Sequence, residues 1–181
     1  MDDRARLLQI IRERSYEERE VTLASGRKSN FYIDGKQTTL DPEGAYLVGK
    51  VFYAMIKGKA EAIGGPTLGA DPIVTAVALT SHQEGNAIAA FIIRKEPKGH
   101  GKGLWIEGDK AVKKGTRVAI VEDVVTTGGS LLKAIKIAEE HGLKVVQALT
   151  LVDREEGGKE ELAAAGYTLE AVFTRGEIIG K

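Results

Sequence analysis

The sequence contains no cysteine, which excludes zinc ribbons, thiol nucleophiles and disulfide scaffolds together. An excess of charge of one sign is also missing: 26 basic residues balance 26 acidic ones, whereas a generic nucleic-acid binder is basic. Long apolar runs are lacking as well. The longest, Ala87 to Ile93 ("AIAAFII"), is far too short to span a bilayer. The opening "MDDRARLLQIIRERS" is charged and helical in period, without the uninterrupted apolar stretch of a signal peptide. A chain of 181 residues buries about 70% of its unfolded surface and needs no staples to hold a core. These absences predict one cytoplasmic domain over residues 1–181, acting on neither membranes nor nucleic acid.

What is present alternates between two periods. Leu7, Leu8, Ile10 and Ile11 give a first helix one apolar face. "EVTLASGRKSNFYIDGK" follows, with two short β-prone runs parted by Ser25-Gly26, an irregular strand pair. Asp41-Pro42 reads as the N-cap and first position of a helix carrying Tyr46, Leu47, Val51, Phe52 and Met55 into a core and ending near Gly58. Then come a strand over Ala60 to Gly64, a helix opened by Asp71-Pro72, and the strands "AIAAFIIR" and "RVAIVED". The helix "SLLKAIKIAEEHG" stops at Gly142, and the strand "KVVQALTLVD", the short helix "GGKEELAAAG" and the strand "TLEAVFTR" complete the order. Continuous apolar strands separated by helices predict an α/β fold with a mostly parallel sheet covered on both faces. Residues 94–115, "RKEPKGHGKGLWIEGDKAVKKG", break the alternation as a long polar loop. Such a loop leaving a strand end is where open α/β sheets put ligands.

The densest chemical signal is "VAIVEDVVTTGGS", residues 118–130. Thr126-Thr127-Gly128-Gly129-Ser130 opens a helix, whose first free amides and positive dipole end bind phosphate. No Gly-Lys-Ser/Thr follows, so this is not a Walker A loop, and the spacing is not GxGxxG. Glu122 and Asp123 just ahead of the turn would repel a phosphate. Two solvated acids at a strand end would be the plain account. A sugar phosphate removes the conflict, with its phosphate in the turn and its hydroxyls donating to the carboxylates.

Apolar residues, two acids, two apolar residues and Thr-Thr-Gly-Gly-Ser together resemble the phosphoribosyl pyrophosphate (PRPP) motif of type I phosphoribosyltransferases. Three further stretches, Leu23 to Asp34 ("LASGRKSNFYID"), Arg94 to Gly101 ("RKEPKGHG") and Leu151 to Gly158 ("LVDREEGG"), are similar to the orotate phosphoribosyltransferases. They match that family's N-terminal hood, catalytic loop and orotate-facing arginine. The resemblance implies the type I phosphoribosyltransferase fold, with a hood mainly over 1–40 and a flexible loop about 94–104. It implies transfer of phosphoribosyl from PRPP to orotate, giving orotidine 5′-monophosphate and pyrophosphate in pyrimidine biosynthesis. Arg94, Lys95, Lys98 and His100 would contact the pyrophosphate, with the loop completing the partner's site in a homodimer. Glu122 and Asp123 would hold the ribose; Val124, Val125, Thr126, Thr127, Gly128, Gly129 and Ser130 would form the PRPP motif around the 5′-phosphate. Thr126 would also border the base, and Arg154 would pair with orotate in bidentate fashion. Mg²⁺ would come with the pyrophosphate, with no ligand directly from the protein. Where some members carry lysine, this chain has Ala24 and the turn "TLGAD" after Gly65-Pro66. Those two phosphate contacts would then be either absent or supplied by Lys28, Lys36 or the amides of Thr67 to Ala70. A purine-base phosphoribosyltransferase and a non-catalytic PRPP sensor are the same-fold alternatives.

The remaining signals have plainer accounts. His82 and His141 sit near helix ends, where a cation suits the dipole. Trp105 and Ile106 read as loop anchors or dimer contacts, and Phe31 and Tyr32 as core residues that the resemblance brings near the substrate.

Overall fold

The computed structural model describes residues 2–22, 28–99 and 103–180. Helix α1 (Asp3–Ile10) runs into a π-helical turn (Ile11–Ser15), and four two-residue strands follow. Of these, β1 (Tyr16–Glu17) pairs antiparallel with β4 (Tyr32–Ile33), and β2 (Val21–Thr22) with β3 (Lys28–Ser29). The short helix α2 (Lys36–Thr39) leads to α3 (Pro42–Ile56). Thereafter come β5 (Ala62–Pro66), α4 (Ala70–Gln83), β6 (Ala89–Lys98), β7 (Leu104–Glu107), β8 (Arg117–Val125) and α5 (Gly129–Glu140). The chain ends with β9 (Lys144–Asp153), α6 (Gly158–Ala164), β10 (Leu169–Thr174) and α7 (Arg175–Ile179).

Six strands form one sheet in the order β10-β9-β8-β5-β6-β7. All neighbours are parallel except β6 and β7. The central segments of the strands are apolar because both faces are covered there, whereas β6 beyond Ile93 is polar and largely exposed. On β8, Ala119 and Val121 face a cluster built with α1, α3 and α4, while Val118 and Ile120 face a second cluster built with α5 and α6. That split follows from the two-residue repeat of a strand. The N-terminal region is tied to the C-terminus by Arg12, whose Nε donates to the Ile178 carbonyl (2.9 Å).

Asp41 caps α3 as expected, its Oδ1 accepting from Gly44 N at 2.9 Å, and it also pairs with Arg14 at 3.2 Å. Asp41→Ala removes the cap and should cost about 1 kcal/mol. In a domain of this size a thermal melt should then fall by roughly 2–4 °C; an unchanged melt would deny the cap its energetic role.

Three expectations need correction. Tyr46 does not enter the core but is 58% exposed, because it lies on the outer face of α3. Helix α4 opens at Gly69-Ala70, and Asp71 lies inside its first turn, where it accepts from Thr67 Oγ1 (2.8 Å) instead of capping. The loop expected over 94–115 is largely regular in its described part. There β6 runs on to Lys98, and β7 returns beside it with Ile106 opposite Ile93. Both isoleucines are buried, so burial across the pair, not local propensity, makes the hairpin. Ile106 is thus the anchor, and Trp105 packs against the same cluster.

Candidate active site

The sheet changes direction between β5 and β8. The chain proceeds from β5 to β6 on one side and from β8 through β9 to β10 on the other. Ladder pairing of β5 with β8 ends at Gly64↔Ile120, so their carboxyl ends part and leave a crevice, the usual ligand position in open α/β sheets. A cleft of about 600 Å³ fills it. Lys36, Thr67, Leu68, Gly69, Arg94, Lys95, Glu122, Asp123, Ser130 and Lys133 are among its walls.

Asp123 is 9% exposed and wedged where two chain segments come close. A Cβ on Gly69 would overlap its carboxylate, and one on Gly35 would lie 3.0 Å from it. Its Oδ1 accepts from Val124 N (3.0 Å), and its Oδ2 lies 3.8 Å from Lys36 Nζ. Lys36 is itself paired with Asp34 at 2.7 Å, a hydrogen bond that holds its pKa above the ordinary value. Burial raises the Asp123 pKa, and Lys36 opposes part of that rise. Glu122 is pushed further, to about 7, first by burial and then by the charge of Asp123. Two crowded carboxylates short of hydrogen-bond donors suit a ligand that brings hydroxyls.

The turn after β8 leads into α5 through Gly128, the N-cap residue, at φ 83°. A side chain there would be strained, and its Cβ would strike Leu162 of α6 at 2.6 Å. No side chain caps α5, which leaves its first-turn amides to a ligand. Thr127, Gly129 and Ser130 are exposed. Val125 departs from this pattern: its side chain belongs to the core at 1% exposure, and its carbonyl accepts from Arg154 N (2.9 Å).

Not every expected residue lines the cleft. Arg94 does, with Nη1 paired to Glu107 at 2.7 Å. Lys98 lies at the far end of β6, opposite Leu104. His100 lies outside the described residues, as do Leu23 to Arg27 of the hood segment with Ala24. Lys28 pairs with Glu20 at 2.8 Å on the surface. Arg154, 8% exposed, sits beside the phosphate turn but is not among the cleft walls. Its Nε (3.2 Å) and Nη2 (3.0 Å) both approach Glu156 Oε1, and Nη2 also donates to the Phe31 carbonyl at 3.2 Å. One cleft residue has no counterpart in the sequence reading. Lys133 lies one turn beyond Ser130, so the helical i, i+3 spacing put it on the same face. Thr67, Leu68 and Gly69, whose turn the sequence offered as a source of amide contacts, do line the cleft, but the close approach of Gly69 to Asp123 had no sequence signal.

Among the described residues no group of three or more His, Cys, Asp or Glu is arranged to hold a metal, and no helix is long and apolar enough to cross a membrane.

A crevice at the point where strand order reverses, with an uncapped helix start and two acids on its walls, defines a sugar-phosphate transferase of the phosphoribosyltransferase class. The family model described as "Phosphoribosyl transferase domain" matches residues 46–174. The orotate phosphoribosyltransferase of Aquifex aeolicus is 46% identical over 183 residues, covering 99% of each chain. The crystal structure of the Mycobacterium tuberculosis orotate phosphoribosyltransferase with Fe(III) dicitrate superposes with a TM-score of 0.84 at 36% identity, over 98% of this chain and 99% of that one. The same enzyme in complex with PRPP gives a TM-score of 0.79 at 34% identity, over 98% of this chain and 99% of that one. The chain belongs to the orotate phosphoribosyltransferase family. The comparisons favour the orotate reading over the purine-base and sensor alternatives.

Proposed function

We propose that this cleft binds PRPP and orotate and transfers the 5-phosphoribosyl group to give orotidine 5′-monophosphate and pyrophosphate, a step of pyrimidine biosynthesis. The observation that carries it is the pair Glu122 and Asp123, walling the same cleft as Ser130 of the uncapped helix start. Breaking the bond at C1 of the ribose builds positive charge on the sugar and negative charge on the departing pyrophosphate. The protein therefore needs aimed cations, a fixed ribose and dryness more than a nucleophile. Thr126 to Ser130 bind the 5′-phosphate, and Glu122 and Asp123 accept from the ribose hydroxyls. Arg94, Lys95, Lys98 and His100 meet the pyrophosphate, and Lys36 and Lys133 add positive charge to the cleft. Thr126 and Arg154 face orotate.

Mg²⁺ fits this donor set as an ion carried on the pyrophosphate, because the walls offer phosphate-binding groups and two carboxylates but no closed cage. When bound, it neutralises charge on the leaving group. We place residues 1–40 as a hood and 94–104 as a loop that completes the partner's site in a cytoplasmic homodimer, within one domain over 1–181.

The test is the loss of orotate ultraviolet absorbance in the presence of PRPP and Mg²⁺, with adenine, guanine and uracil in parallel. Orotate should be consumed only when all components are present. Lys98→Ala should lower kcat about 100-fold, the scale of one lost charge-stabilising donor. Turnover of another base but not orotate would remove the role given to Arg154, and an active Lys98→Ala the role given to the loop.

A further inference from the structure

The turn after β9 is folded so that Glu156 reaches back to Arg154. Asp153 Oδ1 accepts from Glu155 N at 2.8 Å, a side-chain turn that bends the chain at once. Glu155 then takes the left-handed conformation (φ 56°), which a non-glycine residue keeps only where its surroundings hold it. Those surroundings are identifiable: Glu155 Oε2 accepts from Gly176 N (2.8 Å) at the start of α7. The contact between Glu156 and Arg154 is thus imposed by backbone geometry and is not a chance meeting of long side chains. Both side chains are nearly out of solvent, at 10% and 9% exposure.

The donor inventory of Arg154 has a consequence. A guanidinium carries five N–H groups, one on Nε and two on each terminal nitrogen. Glu156 Oε1 accepts from Nε and lies 3.0 Å from Nη2 as an ion pair, and the Phe31 carbonyl accepts from Nη2. Among the described residues Nη1 has no partner. Nε and Nη2 are therefore both engaged by the protein, and a bidentate contact over the two terminal nitrogens would share Nη2 with the Phe31 carbonyl.

We propose that Glu156 is a positioning residue for base recognition: it fixes the Nε–Nη2 edge of Arg154 and leaves Nη1 as the donor that meets the substrate carboxylate. This rests on the reading that Arg154 faces orotate. A carboxylate so near a site for another carboxylate would otherwise weaken binding. Its placement makes sense when the orientation it gives the arginine outweighs that repulsion.

The test uses the full-length chain in steady-state kinetics, varying orotate at saturating PRPP and PRPP at saturating orotate. Glu156→Ala should raise KM for orotate by roughly ten- to a hundredfold, the scale of a misaimed binding group. KM for PRPP and kcat should stay within about twofold of the parent. Glu156→Gln, whose amide oxygen can still accept from Nε, should recover most of the orotate affinity. Glu156→Asp keeps the charge but retracts it, and should raise KM for orotate by an intermediate factor. That variant decides the matter should Glu156→Ala not fold. A lower KM for orotate in Glu156→Ala would make Glu156 a competitor of the substrate and overturn the proposal. An unchanged KM for orotate in Glu156→Ala or Glu156→Asp would overturn it too. Arg154→Ala separates the two layers: if it leaves KM for orotate unchanged, the assignment of Arg154 fails first and the proposal falls with it.

Discussion

Gly69→Ala should cost about 100-fold or more in kcat/KM while lowering the melting temperature by only a few degrees. The backbone at Gly69 is right-handed helical (φ −61°, ψ −38°), so alanine fits the chain itself without strain. The conflict is entirely with Asp123, whose carboxylate occupies the volume of the new methyl group. Asp123 would have to rotate, giving up the bond its Oδ1 accepts from Val124 N and its approach to Lys36. The ribose then loses an acceptor at a fixed position, and a displacement of one ångström in a positioning group costs about two decades. Steady-state kinetics beside a thermal melt make the check. Parental kinetics in Gly69→Ala would remove Asp123 from the reaction, and a collapse of the melt would show that Gly69 serves the fold instead.

The second large effect concerns pH. Burial raises the Glu122 pKa from 4.5 to about 7. Between those values the folded chain holds a proton that the unfolded chain has released, so stability falls as pH rises through this window. The stability linked to that proton is complete below 4.5 and gone above about 7. The difference is on the order of 3 kcal/mol. Glu122→Gln cannot carry the charge, so it should melt roughly 6–12 °C above the parent at pH 8 and level with it at pH 4. Turnover should move the other way, because an amide is a weaker acceptor for the ribose hydroxyls. A melting difference that is the same at both pH values would show that the Glu122 carboxylate is not destabilised by burial. Gain in stability with loss of activity is the mark of a residue kept for function.

The sequence was most legible where the deciding interactions are local. Asp41 and Pro42 start α3 through a bond spanning three residues. The apolar run that turns into Thr-Thr-Gly-Gly-Ser became β8 followed by α5, since strand burial and helix start are both written within that stretch. Thr174 and Glu177 likewise form a capping box that opens α7, a spacing written in "TRGE" at the end of a strand. What sequence alone could not yield is contact between distant segments. The β6–β7 hairpin exists because Ile93 meets Ile106 across it, while its own residues look like polar loop. Asp123 is crowded by Gly35 and Gly69, which no spacing connects. Arg154 is expected from sequence to face the orotate carboxylate, whereas its engagement with Glu156 and Phe31 depends on a turn conformation and on a segment from the other end of the chain.

The two sides of the cleft differ in how they are braced. The phosphate turn hangs from β8, which stays in register with β9 as far as Val125↔Asp153, while β9 is bound in turn to β10. Gly128, pressed against Leu162, locks that turn to α6 as well. Opposite it, β6 leaves β5 after Pro66↔Ile93, and beyond Ile93↔Ile106 its register with β7 is broken until Lys98↔Leu104. One side is therefore part of a multi-stranded slab, and the other is a two-stranded ribbon of a kind barely stable alone in water. In the proposed binding mode PRPP would rest its 5′-phosphate on the braced side and its pyrophosphate on the less braced one. Any bending needed for the pyrophosphate to leave would then fall on the ribbon and not on the slab.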